Sequence, residues 1–299
     1  MIRAYDCGDQ TSMNQHAATS ADSRMHKIQQ AIKWTVYTLL IINFVYYIFE
    51  DWNRAMHTLH AGSTFLDWTS EFATSIDESA WFLLLAMFEI ETYVIDDEDW
   101  TGRLARTVRG IRLLCYVLIA HTVYAFVITL IDLQPTVVVE DVSNLCDMTG
   151  ADVSYVYNLE YTEVNAQTCG ELSDESQFYW LADDPLVSDM AGLDLERDLA
   201  WVDLFEAVTW VLILLAIEAV VRLQGRGVTG GKLMSTANGA SIFLYLALIA
   251  FGIYWATLSH WLYLWDELVW IGGFAAIEMN LSEWRNELLD DKDKSSGEE

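Results

Sequence analysis

Trp81-FLLLAMF-Glu89, Trp210-VLILLAI-Glu218 and Trp270-IGGFAAI-Glu278 are three stretches in which a Trp is followed eight residues later by a Glu. Only apolar residues or Gly lie between. Another Glu stands just before each Trp: Glu78, Glu206 and Glu267. A unit repeated along a chain is one structural element used several times. Each copy is long and apolar enough to belong to a helix in a bilayer, and each places carboxylates at matching positions. The spacing therefore predicts an all-α polytopic membrane protein made of three repeated helical hairpins.

Working outward, six apolar segments approach the length needed to cross about 30 Å of hydrocarbon at about 1.5 Å per residue. They are predicted at 31–50, 79–97, 112–132, 202–223, 240–261 and 267–284. The second and sixth are the weakest, because each contains its Glu. The odd-numbered helices share a looser mark, the Tyr pairs 37/46, 116/124 and 245/254. The hairpins then cover 31–97, 112–223 and 240–284. Around them lie a tail at 1–30, a charged connector at 98–111, a Gly-rich turn at 224–239 and an acidic tail at 285–299.

Basic residues set the orientation of such a chain. Of sixteen Lys and Arg, fourteen fall on one predicted side: Arg3, Arg24, Lys27, Lys33, Arg103, Arg106, Arg109, Arg112, Arg222, Arg226, Lys232, Arg285, Lys292 and Lys294. Arg54 and Arg197 fall on the other. The prediction is N-in and C-in, in a prokaryotic cytoplasmic membrane. Trp34, Trp52, Trp201, Trp261, Trp265 and Trp284 cluster at the predicted interfaces, as aromatic belts do.

Composition agrees. The chain is 53% hydrophobic yet carries a net charge of −28. Both hold only if apolar and acidic residues are segregated, as in a membrane protein with acidic loops. The charge excludes nucleic acid as a partner, since a phosphate backbone would be repelled. Residues 1–30 are polar, and no small-residue cleavage site follows the first apolar run, so no cleavable signal is expected.

The second hairpin carries an extracytoplasmic insertion at 133–201. From Asp132 to Asp203 it holds seventeen acidic residues against one base, Arg197. The stretch VSYVYNLEYTEVNA at 153–166 is rich in β-formers and predicts a short hairpin. Cys146 and Cys169, outside the cytoplasm, are expected to form a disulfide. The entropic contribution of a loop of that length is about 3 kcal/mol.

The repeated carboxylates carry the functional expectation. Glu78 and Glu89, like Glu267 and Glu278, are eleven residues apart, so on a helix they face within about 20° of each other and about 16 Å apart. Glu206 and Glu218 are twelve apart and depart from this rule. Intramembrane carboxylates are costly and point to an ion or proton path. The competing reading ties them to local Arg at the interface, as Glu218 four residues before Arg222 allows.

Other motifs carry less. Arg103, Arg106, Arg109 and Arg112 at every third position superficially resemble the charged helix of voltage-sensor domains over about ten residues. Leu113 to Ile131 already supplies a charge-free span, so the run reads as a positive-inside anchor that meets anionic lipid. His57 and His60, three apart, form a weak metal pair lacking a third ligand. His121, mid-span, is a weak proton-relay candidate and a stronger candidate for a neutral His satisfied by a neighbouring helix. Asn43 reads as interhelical glue. The Gly-rich RLQGRGVTGGKLM at 222–234 lacks the residue order of a phosphate loop. Three hairpins in this length resemble the mitochondrial carrier architecture in hairpin count only. Pro135 and Pro185 stand at no helix kink followed by the carrier charge motif, and the chain is acidic where carriers are basic.

The sequence thus predicts a non-enzymatic membrane protein that conducts or exchanges cations or protons along repeat-related carboxylates. The alternative is an accessory subunit of a larger membrane complex, docking a partner through its acidic ectodomain. No cofactor is expected. The expected partners are the bilayer, cations, and either further copies of the chain or other membrane subunits. Cys labelling or reporter fusions should place 1–30, 98–110, 224–236 and 287–299 in the cytoplasm, and 53–77 and 135–198 outside. An outside location for 224–236 would overturn the six-span topology.

Overall fold

The computed structural model describes residues 9–93, 102–182, 185–225 and 231–274. Its helices are α1 (Asp9–Thr58), α2 (Phe65–Glu71), α3 (Ala73–Tyr93), α4 (Gly102–Asp132), α5 (Met190–Gly225), α6 (Lys232–Thr257) and α7 (261–274). Between α4 and α5 lie five short strands: β1 (Val137–Val138), β2 (Ser154–Tyr157), β3 (Glu160–Glu163), β4 (Tyr179–Leu181) and β5 (Leu186–Ser188). The chain divides into two compact units, residues 1–43 with 262–299 and residues 44–261.

Among the described residues, four helices are long and apolar enough to cross a membrane: Gln30–Thr58, Gly102–Asp132, Met190–Val220 and Ser235–Thr257. They contain the first and third predicted spans and most of the fourth and fifth, whose predicted ends lie at 223 and 261. The first predicted span lies inside a much longer helix, since α1 begins at Asp9. The second falls on α3, which is helical but carries Asp77, Glu78, Glu89 and Glu91 and is not among the four. The sixth falls on α7 and runs past the described residues. The apolar side chains of α1 behave as a lipid-facing stripe would: Ile41, Ile42, Val45 and Phe49 are all exposed.

The insertion differs most from expectation. The hairpin predicted within 153–166 is present as β2 and β3, with Tyr155 opposite Thr162 and Val156 opposite Tyr161. It belongs, however, to a five-stranded mixed sheet of order β1-β4-β5-β2-β3. A wholly α-helical chain is thereby corrected to a helical one with a β ectodomain. The added strands are two or three residues long, too short to show a period. The inner strands β2, β4 and β5 are covered on both faces, while β1 and β3 at the edges are more exposed. Tyr155, Phe178 and Val187 face a core that includes Cys169. Val156, Leu181 and Leu186 face Leu130 and Leu133 at the end of α4 and Leu193 on α5. Cys146 and Cys169 form the expected disulfide, with Cα atoms 4.9 Å apart.

Two side chains fasten this domain to the helices. Arg197, the one base of the insertion, reaches from α5 to the carbonyls of Leu133 (2.7 Å) and Gln134 (2.9 Å) and to Thr136 Oγ1 (2.8 Å). A guanidinium satisfies carbonyls that a helix C-terminus leaves unpaired. Asp189 does the same for the start of α5. Its Oδ1 accepts the Gly192 N–H at 2.9 Å, as an N-cap should. Its Oδ2 accepts the hydroxyls of Tyr155 (2.8 Å) and Ser173 (2.6 Å), so the cap also ties in the sheet and a loop. A Cβ at position 192 would run into Ser188 Oγ, which explains glycine there.

The β2–β3 turn is a third fastening. Asn158 (φ 56°) and Leu159 (φ 60°) are both left-handed, as a two-residue type I′ turn requires. Leu is unfavourable in that region. The turn is held by Asn158 Nδ2 donating to Leu258 O (3.0 Å) and by Leu159 N–H donating to Glu196 Oε1 (3.0 Å).

Burial pushes the Asp189 carboxyl up, but the donors from Ser173, Gly192 and Tyr155 outweigh it and hold it below its ordinary value. The same burial, with the anion beside it, raises the Tyr155 phenol. A depressed carboxylate contributes stability that is present above its unfolded pKa of about 4 and lost as pH falls through the folded value. Asp189→Asn keeps the cap oxygen but removes the acceptor for Tyr155 and Ser173. It should destabilise the ectodomain by about 1–3 kcal/mol at neutral pH. The variant's thermal midpoint should also vary less with pH below about 4 than the wild type's. Equal midpoints at neutral pH would show that Asp189 fastens nothing.

Candidate functional site: carboxylates within the helical units

In the unit 44–261, carboxylates collect where α1, α3, α5 and α6 approach the ectodomain. Asp51 on α1 is buried, and its Oδ2 accepts both N–H (2.9 Å) and Oγ–H (2.7 Å) of Ser75 in the first turn of α3. An anion there complements the helix N-terminus. Arg54 bridges Asp51 (3.1 Å) and Glu71 (3.1 Å) and donates to the Glu71 carbonyl (2.6 Å). Arg54, one of the two bases on the minority side, therefore ties α1 to α2. Asp203 on α5 lies within electrostatic range of Arg54 and of the acids Glu206, Glu196 and Glu50.

The Glu residues that precede the repeated Trp residues fall in this region. Glu78 is 7% exposed. Its neighbour Asp77 accepts from Trp81 Nε1 (3.0 Å), and the Thr122 hydroxyl of α4 reaches the Ala73 carbonyl at the start of α3 (3.4 Å) and the Leu118 carbonyl of its own helix (3.3 Å). Glu206 Oε2 accepts from Trp255 Nε1 of α6 at 2.9 Å. One turn further along, Trp81 and Trp210 meet edge to face with centroids 5.6 Å apart.

The unit formed by 1–43 and 262–299 contains the third such position. Glu267 is 4% exposed, and its neighbour Asp266 is buried and accepts from Asn43 Nδ2 at 2.8 Å. Asn43 is interhelical glue of the kind the sequence predicts. Gly273 approaches α1 so closely that a Cβ would meet Val36 Cγ1 at 3.2 Å.

The deeper Glu of each stretch is placed differently. Glu218 pairs with Arg222 at 2.8 Å, on a part of α5 where Arg222 is 71% exposed. The Glu89 side chain and Glu278 lie outside the described residues. So do Cys7, Arg285 and the connector 94–101. Arg103, Arg106 and Arg109 line the first turns of α4, and Arg112 follows one turn on.

The histidines go to separate partners. His57 Nδ1 meets Ser154 Oγ at 2.8 Å, and its ring stacks on Tyr161. His60 turns back to Ser63. Among the described residues, no three His, Cys, Asp or Glu side chains are arranged to hold a metal ion. His121 Nε2 lies 3.2 Å from the Thr69 carbonyl, so its ring has a partner on a neighbouring helix.

Asp77, Asp203 and Asp266 were missed from sequence, although a signal was present. Asp77-Glu78-x-x-Trp81 recurs as Asp266-Glu267-x-x-Trp270. The second stretch loosens it to Asp203, Glu206 and Trp210. No known protein family, curated protein or solved structure matches the chain.

Proposed function

We propose that the chain is a multi-pass protein of a prokaryotic cytoplasmic membrane, with six spans arranged as three related hairpins. We propose that it conducts or exchanges protons or other cations along carboxylates lining the helical units. One observation carries this reading: carboxylates sit among apolar helices and are held by neutral donors. Trp81 holds Asp77, Trp255 holds Glu206 and Asn43 holds Asp266. Burial among apolar helices disfavours the bare charge of a carboxylate and favours a bound proton or cation beside it. In the unit 44–261 the path is assigned to Glu78 and Glu206 with Asp77 and Asp203, and to Glu218 beyond them; in the other unit it is assigned to Glu267 with Asp266. Glu89 and Glu278 are assigned to it from their matching places in the repeat. The Trp81–Trp210 contact supplies an apolar barrier between the two levels.

The acidic ectodomain supports a second reading, an accessory subunit that docks a basic partner. Its acids are outward: Glu140, Asp141, Asp152, Glu171, Asp174 and Glu175 are all exposed. In that reading the buried carboxylates are hydrogen-bonding links between helices.

Flux from liposomes separates the two. Wild type should move protons or a monovalent cation. Asp77→Asn, Glu206→Gln and Asp266→Asn, which keep shape and remove charge, should each lower flux by about tenfold, equivalent to ~1.4 kcal/mol in the barrier. A silent wild type favours the docking subunit. A conducting wild type matched by all three variants removes the carboxylates from the path.

A further inference from the structure

The short helix α2 has two distinct sides. At about 100° per residue, Phe65, Leu66, Trp68 and Thr69 share an arc of about 160°, and Asp67, Ser70 and Glu71 lie opposite. A surface helix in water turns its apolar arc toward the protein. In α2 the polar arc is the one fastened. The Glu71 side chain is 19% exposed and pairs with Arg54 of α1, whose guanidinium also takes the Glu71 carbonyl. The Asp67 carboxylate turns back to the Thr64 N–H at 2.6 Å. Phe65, Leu66 and Trp68 point away and are 79%, 53% and 48% exposed.

We propose that this outward arc of α2 is seated in the lipid bilayer, in the leaflet on the ectodomain side. Its depth places it there. His121 and Thr122 of α4 reach the carbonyls of Thr69 and Ala73, on either side of the joint between α2 and α3. His121 stands eleven residues before Asp132, about 16 Å down α4 from the end on which the sheet packs. That distance is close to one leaflet of a core of about 30 Å. Helix α2 thus runs beside the charge-free stretch Leu113–Ile131 and not beyond it. Its surface is continuous with a second apolar one. Val45, Phe49, Trp52 and Met56, at helical spacing, form an exposed stripe on α1. Trp52 meets Phe72 edge to face with centroids 6.3 Å apart, and Phe72 stacks on Trp68 at 6.4 Å. The stripe therefore continues through aromatic contacts into α2. The backbone is also prepared for lipid, where main-chain groups must find partners within the protein. The capping box of Thr64 and Asp67 serves the first turn. His121, the Phe72 N–H and Arg54 take the carbonyls of Thr69, Ser70 and Glu71 in the last. Glu71 and Arg54 pair, as ionisable groups at membrane depth do. Trp, Phe and Leu are the apolar side chains of helices that lie in an interface. This placement requires the multi-pass arrangement proposed above and is independent of ion conduction.

The test puts a nitroxide label on single cysteines of the full chain, reconstituted in phosphatidylcholine vesicles. The background is Cys7→Ser with Cys115→Ala, which leaves the Cys146–Cys169 disulfide in place. Collision with oxygen, which concentrates in hydrocarbon, is compared with collision with a neutral nickel chelate, which stays in water. Glu140→Cys on the ectodomain marks water, and Val117→Cys on the exposed side of α4 marks lipid. Labels at Phe65→Cys and Leu66→Cys should follow Val117→Cys, keeping their collisions with oxygen and losing most of those with the chelate. Helix content and elution volume establish that each variant is folded. If both follow Glu140→Cys while Val117→Cys reports lipid, α2 lies in water and the placement alone is overturned. If Val117→Cys reports water as well, the multi-pass arrangement falls with it. Protection of Phe65→Cys and Leu66→Cys from both reagents would mean that protein, such as a second copy of the chain, covers the arc, and it would overturn the lipid assignment.

Discussion

A carboxylate placed among apolar helices must find a donor, and in this chain the donor comes from a neighbouring turn or helix. Asn43 reaches Asp266 and Trp255 reaches Glu206 from a neighbouring helix, and Trp81 reaches Asp77 from the next turn of its own. An unsatisfied polar group in such surroundings costs several kcal/mol, on the order of a protein's whole stability margin. These bonds therefore fix which helices lie together and at what height. Packing and proposed function rest on the same atoms.

The ectodomain meets the same constraint differently. A sheet of two- to four-residue strands has little pairing of its own, and it is stabilised by burial of its inner strands on both faces and by three attachments to the helices. Arg197 closes the end of α4, Asp189 opens α5, and the Asn158–Leu159 turn is fixed to α6 and to Glu196. Each attachment satisfies backbone groups that would otherwise be stranded. The Cys146–Cys169 disulfide constrains the loops outside the sheet.

Helices with a charge-free apolar run were legible in the sequence, and so were the disulfide and the β2–β3 hairpin with its alternating Tyr and Val. Strands β1, β4 and β5 were not, because two or three residues carry no period. The site was half legible. The Trp-to-Glu spacing drew attention to α3, α5 and α7, but weight on the deeper Glu obscured the upper Asp beside Glu78 and Glu267. Reading Asp with Glu as one element recovers Asp77 and Asp266. Arg54 and Arg197, which looked like exceptions to a charge rule, prove to be fastenings. No spacing in the sequence foretells which carbonyls a guanidinium will reach.

The central claim is that these carboxylates exchange a proton or cation in place. Difference infrared spectroscopy of the protonated carboxyl stretch, recorded through a pH titration of the reconstituted protein, tests it most directly. The wild type should show a titrating carboxyl band in a hydrogen-bonded, poorly hydrated setting, and Asp77→Asn and Asp266→Asn should each remove part of it. A wild-type spectrum with no such band anywhere in the titration, or one unchanged by either substitution, would contradict the account.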